Sequence, residues 1–317
     1  MLVRVAERPK ERRPGYLALP RLDSASRNVV VDWVREDEVT PRDQRLVHFK
    51  KTGLARLTFI SHLRVAYSQD GRKIDSLGAR LDPTTACEEY GIEDPRITRI
   101  GDNFYITYVA VSRHGAATAL ASTTDFKSFV RHGIIFYPEN KDVVLFPRKI
   151  DGEFYALHRP NAATAFTKPE MWIAGSPDLL LWGNHQPLLG GSDEWDIGRI
   201  GAGTPPIRTE EGWLEIYHGN SRREEDLGIG AYSAGVLLLD LADPTKILGR
   251  SGKIMAPEAD YECGGFVCDV VFPTGIVELE KTVLVYYGAA DTSTAVVEFS
   301  LQDLLNAAKA SNARRAA

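Results

Sequence analysis

GDNFYITYVA (residues 101–110) is a run of aromatic and β-branched residues entered from a Gly-containing turn, the composition of a short strand. The signature returns as DGEFYALHRP (151–160), EGWLEIYHG (211–219) and EKTVLVYYGAAD (280–291). A second kind of segment runs from small or apolar residues into an Asp-containing turn: SHLRVAYSQDG (61–71), TALASTTDF (118–126), MWIAGSPDL (171–179) and SAGVLLLDLADP (233–244), with AVVEFSLQDL (295–304) as a further example. Equivalents recur at about 50 to 70 residues, the period of four-stranded antiparallel blades rather than of short solenoid units. The reading is therefore all-β, a five-bladed β-propeller. A β-sandwich with irregular loops is the alternative, but sandwiches seldom repeat one strand-turn-strand signature four or five times.

Outward from the repeat, no linker-like shift in composition divides the 317 residues. We expect a loosely attached N-terminal arm over 1–28, the propeller over 29–300, and a C-terminal helix and tail over 301–317. Hydrophobic residues make up 44% and charged residues 26%, which disfavours both wholesale disorder and an integral membrane protein. A net charge of −5 gives no general attraction for nucleic acid or anionic lipid. The opening MLVRVAERPKERRPGY is too charged for a secretory signal, and no apolar run reaches bilayer-spanning length, so the expected location is cytoplasmic. Cys87, Cys263 and Cys268 are too few for a disulfide framework and have no His/Cys partners at zinc spacing, so they read as buried structural thiols without a metal.

Polar residues at the ends of inner strands are the place to seek a site, because such strands converge on a central channel. Glu93, Asp94 and Arg96 lie in GIEDPRIT, Lys141 and Asp142 in NKDVVLFP, His158 and Arg159 in ALHRP, Arg199 in GRIGAGTPPI, His218 in IYHG, and Asp291 in YYGAAD. Asp94 precedes Pro95, which disfavours helix at residue 94 and predicts an extended turn. Lys141, Arg159, Arg199 and His218 bring three permanent cations and a titratable ring from different repeats, the equipment for an oxyanion such as phosphate. The glycines of GRIGAGTPPI do not make a nucleotide loop, since Pro205 and Pro206 forbid the helix that such a loop requires. They are read as allowing close approach of backbone to a ligand or a neighbouring blade.

Together GIEDPRIT, NKDVVLFPRKI, ALHRP, SPDLLLWGNH, IGAGTPPI, GWLEIYHG, DVVFPTG and YYGAAD resemble glycoside hydrolase family 130, from about Asp82 to Ser300. The resemblance implies a five-bladed propeller and inverting phosphorolysis of β-mannosides to α-mannose 1-phosphate, with a minority of hydrolases. It makes Asp94 the proton donor, acting through a hydroxyl of the mannose ring, and aligns Lys141, Arg159, Arg199, His218 and Tyr232 with phosphate-binding positions. Three departures stand out: Lys141 replaces an Arg, Arg199 replaces a Lys, and Asp142 replaces an Asn, a carboxylate that repels phosphate unless paired or turned away. The family's asparagine-proline segment is not recognisable within 29–60.

A phosphorylase can dispense with a catalytic base, because phosphate is already anionic and needs a cationic cradle to position it. An inverting hydrolase needs a second carboxylate about 6.5 to 9.5 Å from the acid. Glu215, inside an apolar strand, and Glu262, in YECGG, are the candidates, although a strand-face carboxylate such as Glu215 ordinarily faces solvent. Glu93, Asp142, Asp269 and Asp291 are candidate sugar contacts. The expected partners are a β-mannosyl oligosaccharide and inorganic phosphate as co-substrate, with no cofactor, no nucleic acid and no membrane; a homo-oligomer is compatible with this reading. A noncatalytic carbohydrate-binding propeller is the third reading, against which the retained Asp94 counts.

Overall fold

The computed structural model describes residues 1–161, 166–192, 195–222 and 229–315, and it is all-β, with 55% strand and 7% helix. Two compact units are present: Met1–Pro95 with Tyr108–Glu139, and Arg96–Thr107 with Asn140–Ala317.

The first unit begins with β1 (Leu2–Glu7), the hairpin β2 (Tyr16–Asp23) and β3 (Asn28–Arg35), and the small sheet β4 (Val39–Pro41), β5 (Leu46–Phe49) and β6 (Ala55–Leu57). Then follow β7 (Ile60–Tyr67), β8 (Ser76–Leu81), β9 (Gly91–Ile100), β10 (Asn103–Ser112), β11 (Gly115–Thr123) and β12 (Val130–Phe136), residues 96–107 of β9, β10 and their turn being counted with the second unit. These join β1 in a sheet of order β1-β7-β9-β10-β11-β12, with β8 also on β7. Residues 1–28, expected as a loose arm, instead contribute a strand paired along its whole length: β1 runs antiparallel to β7 from Leu2↔Val65 to Glu7↔Ile60. Alternation explains the pairing, since Val3 and Val5 are apolar residues two apart on a strand face.

The second unit holds a four-stranded sheet of β13 (Asn140–Leu145), β14 (Phe154–Pro160), β15 (Met171–Ser176) and β16 (Gly183–Leu189). Next come β17 (Arg199–Ala202), β18 (Ile207–Arg208), β19 (Trp213–Asn220), β20 (Tyr232–Leu239) and β21 (Ile247–Arg250), in the order β17-β19-β20-β21 with β18 also on β19. After the short helix α1 (Asp260–Cys263), the sheet β22 (Val271–Glu278), β23 (Thr282–Ala289) and β24 (Ser293–Ser300) leads into helix α2 (Leu301–Arg315). Leu304, Leu305 and Ala308 of α2 join a core with Leu214, Ile216, Val236, Leu238, Val283 and Val285. β19 is buried along its full length, so neither of its faces meets water.

The repeated Asp turns share one geometry. Asp70 Oδ1 accepts from the amides of Arg72 and Lys73, Asp125 Oδ1 from Lys127 and Ser128, Asp178 Oδ1 from Leu180 and Leu181, and Asp240 Oδ1 from Ala242 and Asp243. Each is an Asx turn that satisfies two backbone donors at the end of a strand and returns the chain into the next one. Phe126 and Leu179, at equivalent places in two of these turns, both have positive φ (54° and 70°). Such matched departures from ordinary backbone geometry mark these two turns as repeats of one unit.

The three thiols are free, but none is buried: Cys268 is exposed and the other two are half-buried. Among the described residues no helix is long and apolar enough to cross a membrane, and no group of three His, Cys, Asp or Glu could hold a metal ion.

Candidate active site

In the first unit Asp94 lies within β9 rather than in the extended turn expected from its proline neighbour, and its φ of 49° places it in the left-handed region. Ordinary L residues avoid that region, although Asp enters it more readily than most. Asp142, Asp269 and Asp291 share the conformation, at 56°, 59° and 51°. Four of the carboxylates singled out from the sequence thus sit on strained backbone, which is where binding and catalytic groups concentrate. Asp94 is half-buried, and its Oδ1 accepts a 3.0 Å hydrogen bond from Nη1 of Arg4. The same Nη1 is 3.8 Å from Glu93, which is buried and lies 3.5 Å from the Ser61 hydroxyl. Gly91 permits this arrangement: at φ 113° it packs on the Ser61 backbone, where a Cβ would come within 2.4 Å of the amide nitrogen.

In the second unit the cations gather around Asp142. A register shift in the β13–β14 ladder, between Lys141↔Arg159 and Val144↔Leu157, forms a bulge that contains Asp142. Bulges re-aim side chains. Here the carboxylate is 1% exposed, with Oδ1 3.3 Å from Arg96 Nη2 and Oδ2 2.5 Å from Arg159 Nη1 and 3.2 Å from His218 Nε2. Burial alone would raise its pKa. The Arg159 guanidinium, then His218 and Arg96, outweigh that penalty and hold it well below the usual carboxylate range. Asp142 is thus the buried counter-ion of a cationic cluster instead of an open sugar contact, which removes the repulsion anticipated beside an anion.

His218 is fully buried, and burial lowers its pKa against the opposing pull of Asp142, so the ring is neutral. Nε2 faces both Asp142 Oδ2 and Arg159 Nη1, each at 3.2 Å, and Nδ1 has no hydrogen-bond partner. Phe272 flanks the ring with centroids 4.4 Å apart, and Tyr232 lies 6.0 Å away. Gly201 stands opposite His218 in the β17–β19 ladder, and a Cβ there would fall 2.6 Å from Asp142 Oδ2 and 2.9 Å from the His218 ring. A side chain at 201 would split the cluster.

Arg96 is 1% exposed; its Nε donates to the Gly203 carbonyl and its guanidinium lies over the Phe272 ring at 5.2 Å. Lys141 stands directly opposite Arg159 in antiparallel register, and Asp142 already balances the charge of Arg159. The Nε donors of Arg159 and Arg199 are both buried without an acceptor. Arg199 opens β17, opposite Asn220. Together these donors can neutralise and orient a small multiply charged anion.

The other candidates are placed differently. Glu215, expected at a solvent face, is fully buried because β19 is covered on both sides; Oε1 accepts the Gly203 amide at 2.7 Å, while Oε2 has no hydrogen-bond partner. Burial pushes its pKa up to about 8, which favours the protonated form at neutral pH, and at 0% exposure the carboxyl does not meet solvent water. Glu262 is fully occupied: Oε2 accepts from the amides of Glu258 and Ala259, and Oε1 accepts from the Tyr287 hydroxyl at 2.7 Å. Burial would raise its pKa, but the Tyr287 hydroxyl and those amides hold it below the usual value. Asp269 is exposed, and its carbonyl accepts the Tyr232 amide; Asp291 is half-buried. His158 engages Asn140 and His185 at 3.0 and 3.1 Å, and burial then His185 lower its pKa to about 3. Sequence reading missed Arg4, which sits in a segment taken for an arm, and gave Arg96 no role because nothing local shows a pairing across 46 residues.

A family profile described as beta-1,4-mannooligosaccharide phosphorylase matches residues 15–310, further toward the N terminus than the motifs reach. The chain is 40% identical to a beta-1,2-mannobiose phosphorylase of Listeria innocua over 314 residues, covering 96% of this chain and 86% of that one. It is 35% identical to a 1,2-beta-oligomannan phosphorylase of a Thermoanaerobacter species, covering 78% and 81%. The solved structure of a Listeria innocua beta-1,2-mannobiose phosphorylase with beta-1,2-mannobiose matches with a TM-score of 0.91 at 40% identity, over 98% of this chain and 88% of that one. The chain belongs to glycoside hydrolase family 130.

Proposed function

We propose that this protein is an inverting β-mannoside phosphorylase on a five-bladed β-propeller, transferring mannose from a β-mannosyl oligosaccharide to inorganic phosphate. In this reading Asp94 is the general acid, delivering its proton to the leaving oxygen by way of a mannose hydroxyl. Phosphate, held by Lys141, Arg159, Arg199, His218 and Tyr232, attacks the anomeric carbon from the opposite face and yields α-mannose 1-phosphate. The observation that carries it is that the Nε donors of Arg159 and Arg199 are both buried with no acceptor. An oxyanion supplies an acceptor for each. Of the two candidate bases for hydrolysis, Glu215 is fully buried and both oxygens of Glu262 are engaged.

The four matched Asp turns support the propeller. Similarity to relatives named for β-1,2-linked mannosides favours that linkage over β-1,4. The test is incubation with β-1,2- and β-1,4-mannobiose, with and without phosphate, measuring mannose 1-phosphate and free mannose. We expect phosphate-dependent mannose 1-phosphate, faster from the β-1,2 substrate; release of mannose without phosphate would overturn the reading. Asp94→Asn is expected to lose at least about 100-fold in kcat on either disaccharide.

A further inference from the structure

We infer that Arg4, carried on the N-terminal strand β1, is a positioning residue for Asp94, fixing its carboxylate for proton delivery. The inference deepens the proposed reaction and rests on it for the role of Asp94. β7 separates β1 from β9, so the Arg4 side chain bridges two strand spacings, about 10 Å, to reach its partner. Its backbone is fixed, because six consecutive register pairs hold β1 to β7, with Arg4 opposite Leu63. At the far end Nη1 is 3.0 Å from Asp94 Oδ1 and 3.8 Å from Glu93 Oε2, so one guanidinium ties together both carboxylates of the GIEDPRIT motif.

Stability alone is a poor account of this contact. The Arg4 and Asp94 side chains are only 19% and 22% accessible, so the cost of taking both charges out of water offsets much of their attraction. An acid on strained backbone, held at one oxygen by an arginine on a paired strand, has the preorganisation that proton transfer rewards. Small misplacements of such a group cost rate rather than substrate affinity.

The test compares Arg4→Met and Arg4→Lys on β-1,2-mannobiose with phosphate and on 2,4-dinitrophenyl β-mannoside, whose leaving group departs without a proton. We expect Arg4→Met to lower kcat on mannobiose by about 10- to 100-fold, with KM for sugar and phosphate within about threefold. Turnover of the dinitrophenyl substrate stays within about threefold of wild type, which also shows that the variant is folded, and Arg4→Lys recovers part of the loss. In a double-mutant cycle Arg4→Met adds nothing to Asp94→Asn, since the positioned group is already gone. Equal losses on both substrates, losses that multiply in the double variant, failure of both variants on the dinitrophenyl substrate, or an unchanged kcat on mannobiose would each overturn the proposal. Asp94→Asn alone, retaining full activity on mannobiose, would instead overturn the assignment of the acid.

Discussion

Glu215 shows how one residue changes meaning with its surroundings. Its charge-bearing partners in the second unit are Arg96, which favours the ionised form, and Asp142, which disfavours it; the Gly203 amide also favours ionisation, and Tyr217 feels its charge in turn. Burial outweighs the favourable contributions and pushes the pKa up to about 8 from the ordinary 4.5. A folded-state pKa above the unfolded one means that the native state holds a proton which the unfolded chain has released between those two values. The stabilisation is therefore complete below about pH 4.5 and is lost as pH rises through 8, at on the order of 1.4 kcal/mol per pH unit within the window. Glu215→Gln keeps an acceptor for the Gly203 amide and removes the titration. Urea unfolding from pH 5 to 9 should show the wild type losing stability relative to Glu215→Gln across that window, then running parallel above it. A constant difference would mean that Glu215 is already ionised in the folded protein.

Among elements, β17 and the β13 bulge decide whether the cluster exists. The glycines around residue 200 were legible as sites of close approach, and for Gly201 the neighbours approached are the Asp142 carboxylate and the His218 ring. The bulge was not legible, because NKDVVLFP reads as an ordinary strand, and the register shift appears only when β13 meets β14. The same limit hid the burial of Glu215: an isolated strand has two faces, and only packing decides that both faces of β19 are covered. Gly201→Ala forces a methyl into the space between two fully buried groups that have little room to retreat. We expect a loss of about 1 to 3 kcal/mol in stability, seen as a lower urea midpoint with unchanged slope, together with a raised KM for phosphate. A variant as stable as wild type with normal phosphate dependence would show that the approach at 201 is looser than the structure has it.

On the scale of the whole molecule, an anion bound by the native state and not by the unfolded chain must stabilise folding. Phosphate at about 100 times its dissociation constant should add about 2.7 kcal/mol, raising Tm by several degrees. Phosphate also stabilises proteins by exclusion from their surfaces, so the informative quantity is the difference from Arg199→Gln, a half-buried site whose substitution spares the Asp142 cluster. That variant should keep only the small, nonsaturating rise. Equal shifts in the two proteins would argue against Arg199 as a phosphate ligand.

The sequence by itself determined the all-β class, the recurring strands and Asp turns, and membership of the family, because turn chemistry and strand composition act over a few residues and survive in the linear order. It also showed which cations and carboxylates were available. Only the tertiary structure decided their states: Asp142 became a buried counter-ion, Glu215 a neutral acid and Glu262 a fully engaged helix cap. It also moved residues 2–7 from an arm into a sheet and brought Arg4 to Asp94. Charge state and pairing depend on burial and on partners as far as 90 residues apart, and neither is written in any local stretch of chain.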